Sequence, residues 1–285
     1  MISRCLAVLM AVAMVLTMSM TAFAADAADA PKGTLTVNNT VEGKTLDLYQ
    51  IFTATKNGDN VAYTLNSAYE GFFQSKITDA STLKGEALSE KAYEYVKDQV
   101  GTDGSNGAAF AKDIMGWILS ASGETKTAVE STHSTTTTAD TKTVIDNLVY
   151  GYYVVYPLGA TDTSTAPGNE TVKSVASLVN VTGDASINMK SNYPTVVKKV
   201  NDKVADDVNI GDTVTYTLTS KVPDMTGYTS YVFNFKDTLA KGLTFGSITS
   251  VKIGDVTINA DTDGTKAENT YTLTTKNNED GTTEI

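Results

Sequence analysis

The sequence predicts a mainly β protein built as two units, the first carrying a helical insertion. Three observations predict it. Several segments alternate apolar and polar residues, from Gly33-Thr34-Leu35-Thr36-Val37 near the start to Val214-Thr215-Tyr216-Thr217-Leu218 much later. Threonine, valine and tyrosine are abundant, and these residues suit a half-buried pleated surface. The apolar period changes to that of a helix only between about residues 88 and 118.

Taken in order, residues 1–24 read as a secretory leader. Arg4 supplies the positive end, Leu6 to Met18 the apolar stretch, and Ala22-Phe23-Ala24 an A-x-A cleavage site. The apolar run is short for a membrane span and is followed by small residues rather than a basic stop. The protein is expected to be exported, with no membrane span in the mature chain. Cleavage would remove the single cysteine, Cys5, leaving a mature chain without disulfides in a compartment that permits them. The formal net charge is −11, and loss of Arg4 makes it one unit more negative. That acidity argues against nucleic acid or anionic lipid as a partner.

The first unit, residues 31–192, opens with the alternation at 33–37 and a turn at Glu42-Gly43. A strand over Leu46 to Phe52 follows, then a hairpin turn at Asn57-Gly58-Asp59 and a return over Val61 to Leu65. Leu88, Ala92, Tyr95 and Val96 recur at helical spacing after a candidate cap, Ser89. Phe110, Ile114, Trp117 and Ile118 repeat the pattern in a helix ending before Gly123. Both helices are expected to pack on the sheet. The polar run Ser131 to Asp140 reads as a loop. His133 lies inside it with no cysteine or second histidine, so no metal site is expected there. Strands resume at Thr143 to Leu148, Tyr150 to Tyr156 and Ser174 to Val181, with a loop over Asp162 to Asn169.

The stretch Ile187 to Val200 joins the units. Lys190 closes the alternating segment 181–187, Pro194 interrupts the ladder, and Val196-Val197-Lys198-Lys199-Val200 opens the second unit, residues 194–285. Alternation puts Val196, Lys198 and Val200 on one face and Val197 and Lys199 on the other. If the valine face is inward, Lys198 enters a core, where an ammonium must be paired or lose its charge. The other reading is that both lysines are solvated. Further strands are expected at Val214 to Leu218, Tyr231 to Phe235, Leu243 to Phe245, Val251 to Ile258 and Tyr271 to Thr275. Continuing the alternation of Phe233 and Phe235 places Asp237 on an apolar face, where its carboxyl would be held neutral. Alternatively the strand ends at Lys236, and Asp237 caps the turn Thr238 to Gly242.

Three weaker signals stand apart. Asn259 to Gly264 resembles the start of a calcium loop, but Thr270 occupies the position that needs a bidentate glutamate, so an ordinary turn is expected. Sequons occur at Asn38, Asn169 and Asn180. No phosphate loop, nucleophile elbow or paired-carboxylate cleft stands out, so neither an enzyme nor a cofactor is expected.

Several of these segments resemble the backbone pilins of Gram-positive bacteria, the subunits that sortases assemble into fimbriae. They are TLDLYQIF (Thr45 to Phe52), NLVYGYYVV (Asn147 to Val155), PTVVKKVND (Pro194 to Asp202), IGDTVTYTLTSKVPD (Ile210 to Asp224) and FNFKDTLAKGLTF (Phe233 to Phe245). The resemblance implies two tandem immunoglobulin-like β-sandwich domains. It implies a shaft subunit of a covalent, cell wall-anchored pilus, partnered by copies of itself, other pilins and a sortase. The alternative is a wall-anchored adhesin or minor pilin that binds a host surface or matrix ligand. In the second domain of such pilins, a lysine on the first strand joins an asparagine on the last, aided by an acid. The resemblance assigns the lysine to Lys198, with Lys199 as the alternative, and the acid to Asp237. The asparagine is expected beyond Ile285, because Asn277 and Asn278 sit in a turn-like run. The family's pilin motif ends in Tyr-Pro-Lys, and its lysine attacks the sortase acyl-enzyme. Ala185, Ile187 and Lys190 fit its spacing, although Asn188-Met189 replace Tyr-Pro, and Tyr193-Pro194 is followed by Thr195. No LPxTG signal, apolar tail or basic end follows, so the sequence is expected to be a C-terminally truncated piece.

Overall fold

The computed structural model describes residues 30–101, 106–120, 129–139, 141–162, 174–189, 191–228, 231–262, 264–265 and 267–285. The leader, Lys190, Asn169 and Asp263 lie outside the described residues, as does most of the loop expected over 162–169. The chain is mainly β with one helical insertion, and it divides by its internal contacts into residues 1–229 and 230–285.

The first unit begins with β1 (Lys32–Asn38), β2 (Thr45–Asn57) and β3 (Asn60–Leu65), close to the three strands expected there. A single 3-10 turn, Ser67–Tyr69, leads into α1 (Glu70–Lys76), then α2 (Gly85–Val100) and α3 (Gly107–Leu119). The chain returns through β4 (His133–Thr136), β5 (Lys142–Val149), β6 (Gly151–Pro157), β7 (Thr161–Asp162), β8 (Ser177–Val181), β9 (Ala185–Asn188) and β10 (Ser191–Asn192). One sheet has the order β3-β2-β6-β8, with β4 also paired to β2, and a smaller sheet has the order β5-β1-β9.

Two cores separate three layers. Leu35, Val37, Leu46, Leu48, Ile145, Tyr153, Val155, Val179 and Val181 cluster with Met189 on the β1–β5 side of the large sheet. Tyr49, Ile51, Phe52, Tyr152, Val154 and Tyr156 face the opposite way and pack on Phe72, Phe73, Leu88, Phe110 and Ile114 from the helices. Strand β6 is therefore buried on both faces along its whole length, as its unbroken run of large apolar residues requires. The register of β2 against β6 shifts between Gln50 and Phe52, so Ile51 and Phe52 both reach the helical side. Gly151 pairs with Thr53, just beyond the shift. A Cβ there would come 2.4 Å from the Phe52 carbonyl oxygen, so only glycine lets the strands meet. Gln50 is buried and donates from Nε2 to the Tyr153 hydroxyl at 3.0 Å.

Two sequence expectations need correction here. Ser89 is not a helix cap, because α2 starts four residues earlier and its N-cap position is Lys84. Ser89 is buried within the helix, and its Oγ accepts from the Leu65 N–H at 2.8 Å, closing the end of β3. Nor is Ser131 to Asp140 all loop. His133–Thr136 forms β4 against Thr45–Leu48, as its threonines favour. Buried Thr137 then anchors the following bend by accepting from the Lys44 N–H at 2.8 Å.

Residues 194–228, which the sequence assigns to the second domain, group with the first unit. They contain β11 (Val197–Val200) and β12 (Tyr216–Thr219), a two-stranded antiparallel ladder. Their last residues pack on the helical layer. The Asp224 N–H donates to the Ala160 carbonyl at 2.8 Å, and Gly227 sits at φ 78° against α3, where a Cβ would fall 2.6 Å from the Gly116 oxygen. Tyr228 hydrogen-bonds Tyr156, whose hydroxyl is raised far above the ordinary tyrosine range, first by burial and then by that bond.

The second unit contains short ladders. These are β13 (Thr238–Leu239), β14 (Lys252–Ile253), β15 (Val256–Thr257), β16 (Asn259–Ala260), β17 (Thr270–Tyr271), β18 (Lys276–Asn277) and β19 (Thr283–Glu284). Strands β13, β19 and β18 form one sheet, β14 pairs with β15, and β16 runs parallel to β17. No strand forms over Tyr231 to Phe235 or Leu243 to Phe245, and only Tyr271 of Tyr271 to Thr275 is in one. Leu239 and Ile258 are its buried apolar residues among those described.

Candidate functional site

The segment around Lys190 is tethered on both sides. Strand β9 runs parallel to β1, and the Met189 N–H continues that ladder by donating to the Asn38 carbonyl at 3.0 Å. The Met189 side chain is buried in the sandwich core, because β9 delivers it there in register. After Lys190, Ser191–Asn192 pair with Thr161–Asp162, and the Thr161 hydroxyl donates to the Asn192 carbonyl at 3.1 Å. Tyr193 is half-buried under the Lys44 ammonium, 5.0 Å from its ring centre. Burial pushes the Tyr193 hydroxyl up to about 12.

In the β11–β12 ladder, Lys198 stands opposite Leu218, and Lys199 stands opposite Thr217. Directly paired residues share a face. Lys198 therefore shares its face with Val200, Tyr216 and Leu218, which are all half-buried, whereas Lys199 and Thr217 are exposed. The Lys198 Nζ lies over the Tyr216 ring, 4.6 Å from its centre. The expected enclosure of Lys198 in a core is nevertheless absent. Lys198 is exposed, as are Val196 at 58% and Val197 at 53%. A ribbon of two strands has little of its own to fold over either face.

Asp237 likewise departs from the apolar-face expectation. Phe233 and Phe235 are exposed at 42% and 44% and pack edge to face on each other, 5.4 Å between ring centres. Asp237 is half-buried and stands just before β13. Its backbone exchanges hydrogen bonds with Ile285 at 3.0 and 2.9 Å, and its Oδ1 accepts from the Thr238 N–H at 2.9 Å. Thr238–Leu239 pair with Thr283–Glu284 as strand β13 rather than forming the expected turn, and Asp237 extends that ladder by one residue. Lys236 and Glu284 form an ion pair beside it at 3.5 Å.

The late asparagines close a hairpin. Asn277 Oδ1 accepts from the Thr283 hydroxyl at 3.0 Å, and the Asn278 side chain donates to the Thr282 hydroxyl at 3.1 Å. His133 lies in β4 opposite Leu48. Among the described residues, no group of three or more His, Cys, Asp and Glu stands close enough to hold a metal ion. No helix among them is long and apolar enough to cross a membrane.

Two residues at these places were not singled out by sequence reasoning. Tyr216 is eighteen positions from Lys198, and only the antiparallel register makes them diagonal neighbours. Lys44 and Tyr193 are farther apart still, and no local spacing links them.

No protein-family model matches the chain, and no curated protein matches it. The solved structures similar to it include two pilins. One is the T6 backbone pilin of serotype M6 Streptococcus pyogenes, at 19% identity and a TM-score of 0.34, covering 89% of this chain and 49% of that one. The other is the full-length major pilin SpaD from Corynebacterium diphtheriae, at 16% identity and a TM-score of 0.29, covering 80% of this chain and 46% of that one. The chain spans about half the length of each.

Proposed function

We propose that this protein is an exported structural subunit of a covalently polymerised, wall-anchored surface pilus, linked to the next copy by a sortase through Lys190. The observation that carries this reading is the tethering around that residue. Met189 is buried on one side and Ser191–Asn192 are paired on the other. An acceptor amine must be offered repeatedly in one orientation, and fixed flanks lower the entropy lost in doing so. In the proposed step the Lys190 nitrogen attacks the carbonyl of a sortase-bound threonine. An amide forms, the thioester to the sortase cysteine breaks, and the amine proton leaves to a base on the enzyme. Lys190→Ala should abolish the ladder of high-mass polymers on denaturing gels while leaving a secreted, folded monomer. A normal ladder from that variant would overturn Lys190 as the acceptor.

The second part of the proposal is an internal cross-link from Lys198, with Asp237 as the assisting acid. It is supported by the side of the ladder that Lys198 occupies, facing Leu218 with Val200 and Tyr216 beside it, while Lys199 faces away. For the bond to form, a further layer must cover this face and bring in the acid and an asparagine. The neutral amine then attacks the carboxamide carbon, the new C–N bond replaces the bond to –NH2, and ammonia leaves. In a longer form carrying the asparagine strand, intact mass should fall by about 17 Da, one ammonia per bond. Asp237→Ala should restore the full mass, and Lys199→Ala should leave the loss unchanged. Full mass in the longer wild-type form would overturn the cross-link.

A further inference from the structure

The half-buried face of the β11–β12 ladder pairs a candidate nucleophile with an aromatic ring. Val200 stands opposite Tyr216 and Lys198 opposite Leu218, so the Tyr216 ring projects diagonally under the Lys198 side chain. The Lys198 Nζ sits 4.6 Å from the ring centre, within the range at which a ring face attracts a cation. The adjacent Lys199 points to the opposite face, beside Thr217. One strand therefore carries two neighbouring amines of the same chemistry, and one of them lies against an aromatic face.

We infer that Tyr216 is a positioning residue for Lys198: its ring holds the ammonium on one face of the open ladder and slows that amine's reaction with electrophiles. The negative ring face attracts a cation and not a neutral amine, so the contact must be given up before the nitrogen can attack. The ring directs Lys198 toward the face that a second layer would cover. It also keeps the amine from being consumed by other electrophiles beforehand. Lys199 lies on the other face, away from this ring. This inference rests on reading Lys198 as the linking amine, and it adds a control on that amine before the bond forms.

The test uses the 285-residue chain itself and the adjacent lysine as an internal standard. The folded protein is treated briefly with limiting N-hydroxysuccinimidyl acetate, and peptide fragmentation gives the ratio of acetylation at Lys198 to that at Lys199. Tyr216→Leu should raise the ratio about two- to fivefold, the loss of one exposed cation–π contact. Tyr216→Phe keeps the ring and should keep the wild-type ratio, which a mere loss of packing or of the hydroxyl would not explain. An unchanged ratio in Tyr216→Leu, including equal acceleration at both lysines, overturns the inference. So does an equal rise in Tyr216→Phe. Failure of the cross-link reading appears elsewhere, as full mass in the longer form, and is read independently of this ratio.

Discussion

Strands β6 and β11 are both rich in valine, yet they meet opposite fates. Every residue of Gly151–Pro157 is buried, whereas Val197–Val200 are exposed or half-buried. Strand β6 lies between β2 and β8 and between two layers, a smaller sheet on one face and helices on the other. Strand β11 has one neighbour, β12, in its ladder. Alternation within a strand decides which side chains travel together. The layers stacked on that strand decide whether they leave water. Apolar content alone therefore does not predict a core, and the exposed Phe233, Phe235 and Val232 of the second unit make the same point.

The sharpest way to break this comparison is to remove one aromatic side chain from each region. Phe72 is fully buried, with Phe73, Phe110 and Trp117 at ring-centre distances of 5.1, 6.2 and 5.7 Å. Phe72→Ala should destabilise the first unit by about 3–5 kcal/mol, the usual cost of emptying an aromatic core site. Phe235→Ala should cost about 1 kcal/mol or less, the value of one exposed edge-to-face pair. Denaturant titrations of the two variants decide it. Equal losses would mean that Phe235 belongs to a closed core, as the alternation of its strand first implied.

Much of the first unit was legible because its signals are local. The alternation at 33–37, the Asn57-Gly58 turn and the helical spacing of Phe110, Ile114 and Trp117 each specify one element without outside help. What local pattern could not give was connectivity. Ser89 resembles a cap by residue type, but its hydroxyl serves a strand end twenty-four positions back. The helix Glu70–Lys76 is too short for its period to show, and only its two adjacent phenylalanines mark it as core. At the candidate sites, alternation put Lys198 and Lys199 on opposite faces. Burial was beyond it, because enclosure of Lys198 or Asp237 depends on which layer covers the strand.

A further effect, again confined to the first unit, should appear at alkaline pH. Burial raises the hydroxyls of Tyr63 and Tyr193 to about 12 from 10.0, and those of Tyr49, Tyr69, Tyr152, Tyr153 and Tyr156 higher still. A group whose folded value is raised stabilises the fold fully below its unfolded value and loses that contribution as pH climbs through the folded one. Stability should therefore stay flat with respect to these groups up to about pH 10 and fall steadily toward pH 12. Tyrosinate absorbance should rise together with loss of near-ultraviolet ellipticity. Gradual tyrosine ionisation well before any loss of ellipticity would show that the layers on the two faces of the large sheet do not seal these rings.

The smallest predicted effect separates two roles of one serine. As a helix cap, Ser89 would hold the first turn of α2, and Ser89→Ala would shorten the helix. In the structure Ser89 lies inside α2, where alanine is the better helix former by about 0.5 kcal/mol. What the substitution removes is the acceptor for the Leu65 N–H at 2.8 Å, and leaving such a donor unmade costs about 1–3 kcal/mol. The two terms oppose each other, so the net loss should be about 1 kcal/mol. Far-ultraviolet ellipticity should be unchanged, while hydrogen exchange at the Leu65 amide should quicken by about fivefold, the equivalent of that loss. A fall in helical signal with unaltered exchange at Leu65 would return Ser89 to the role of a cap. The combination of quicker exchange and full helicity arises only if α2 and β3 are joined through this hydroxyl, across the layer boundary that gives the first unit its second core.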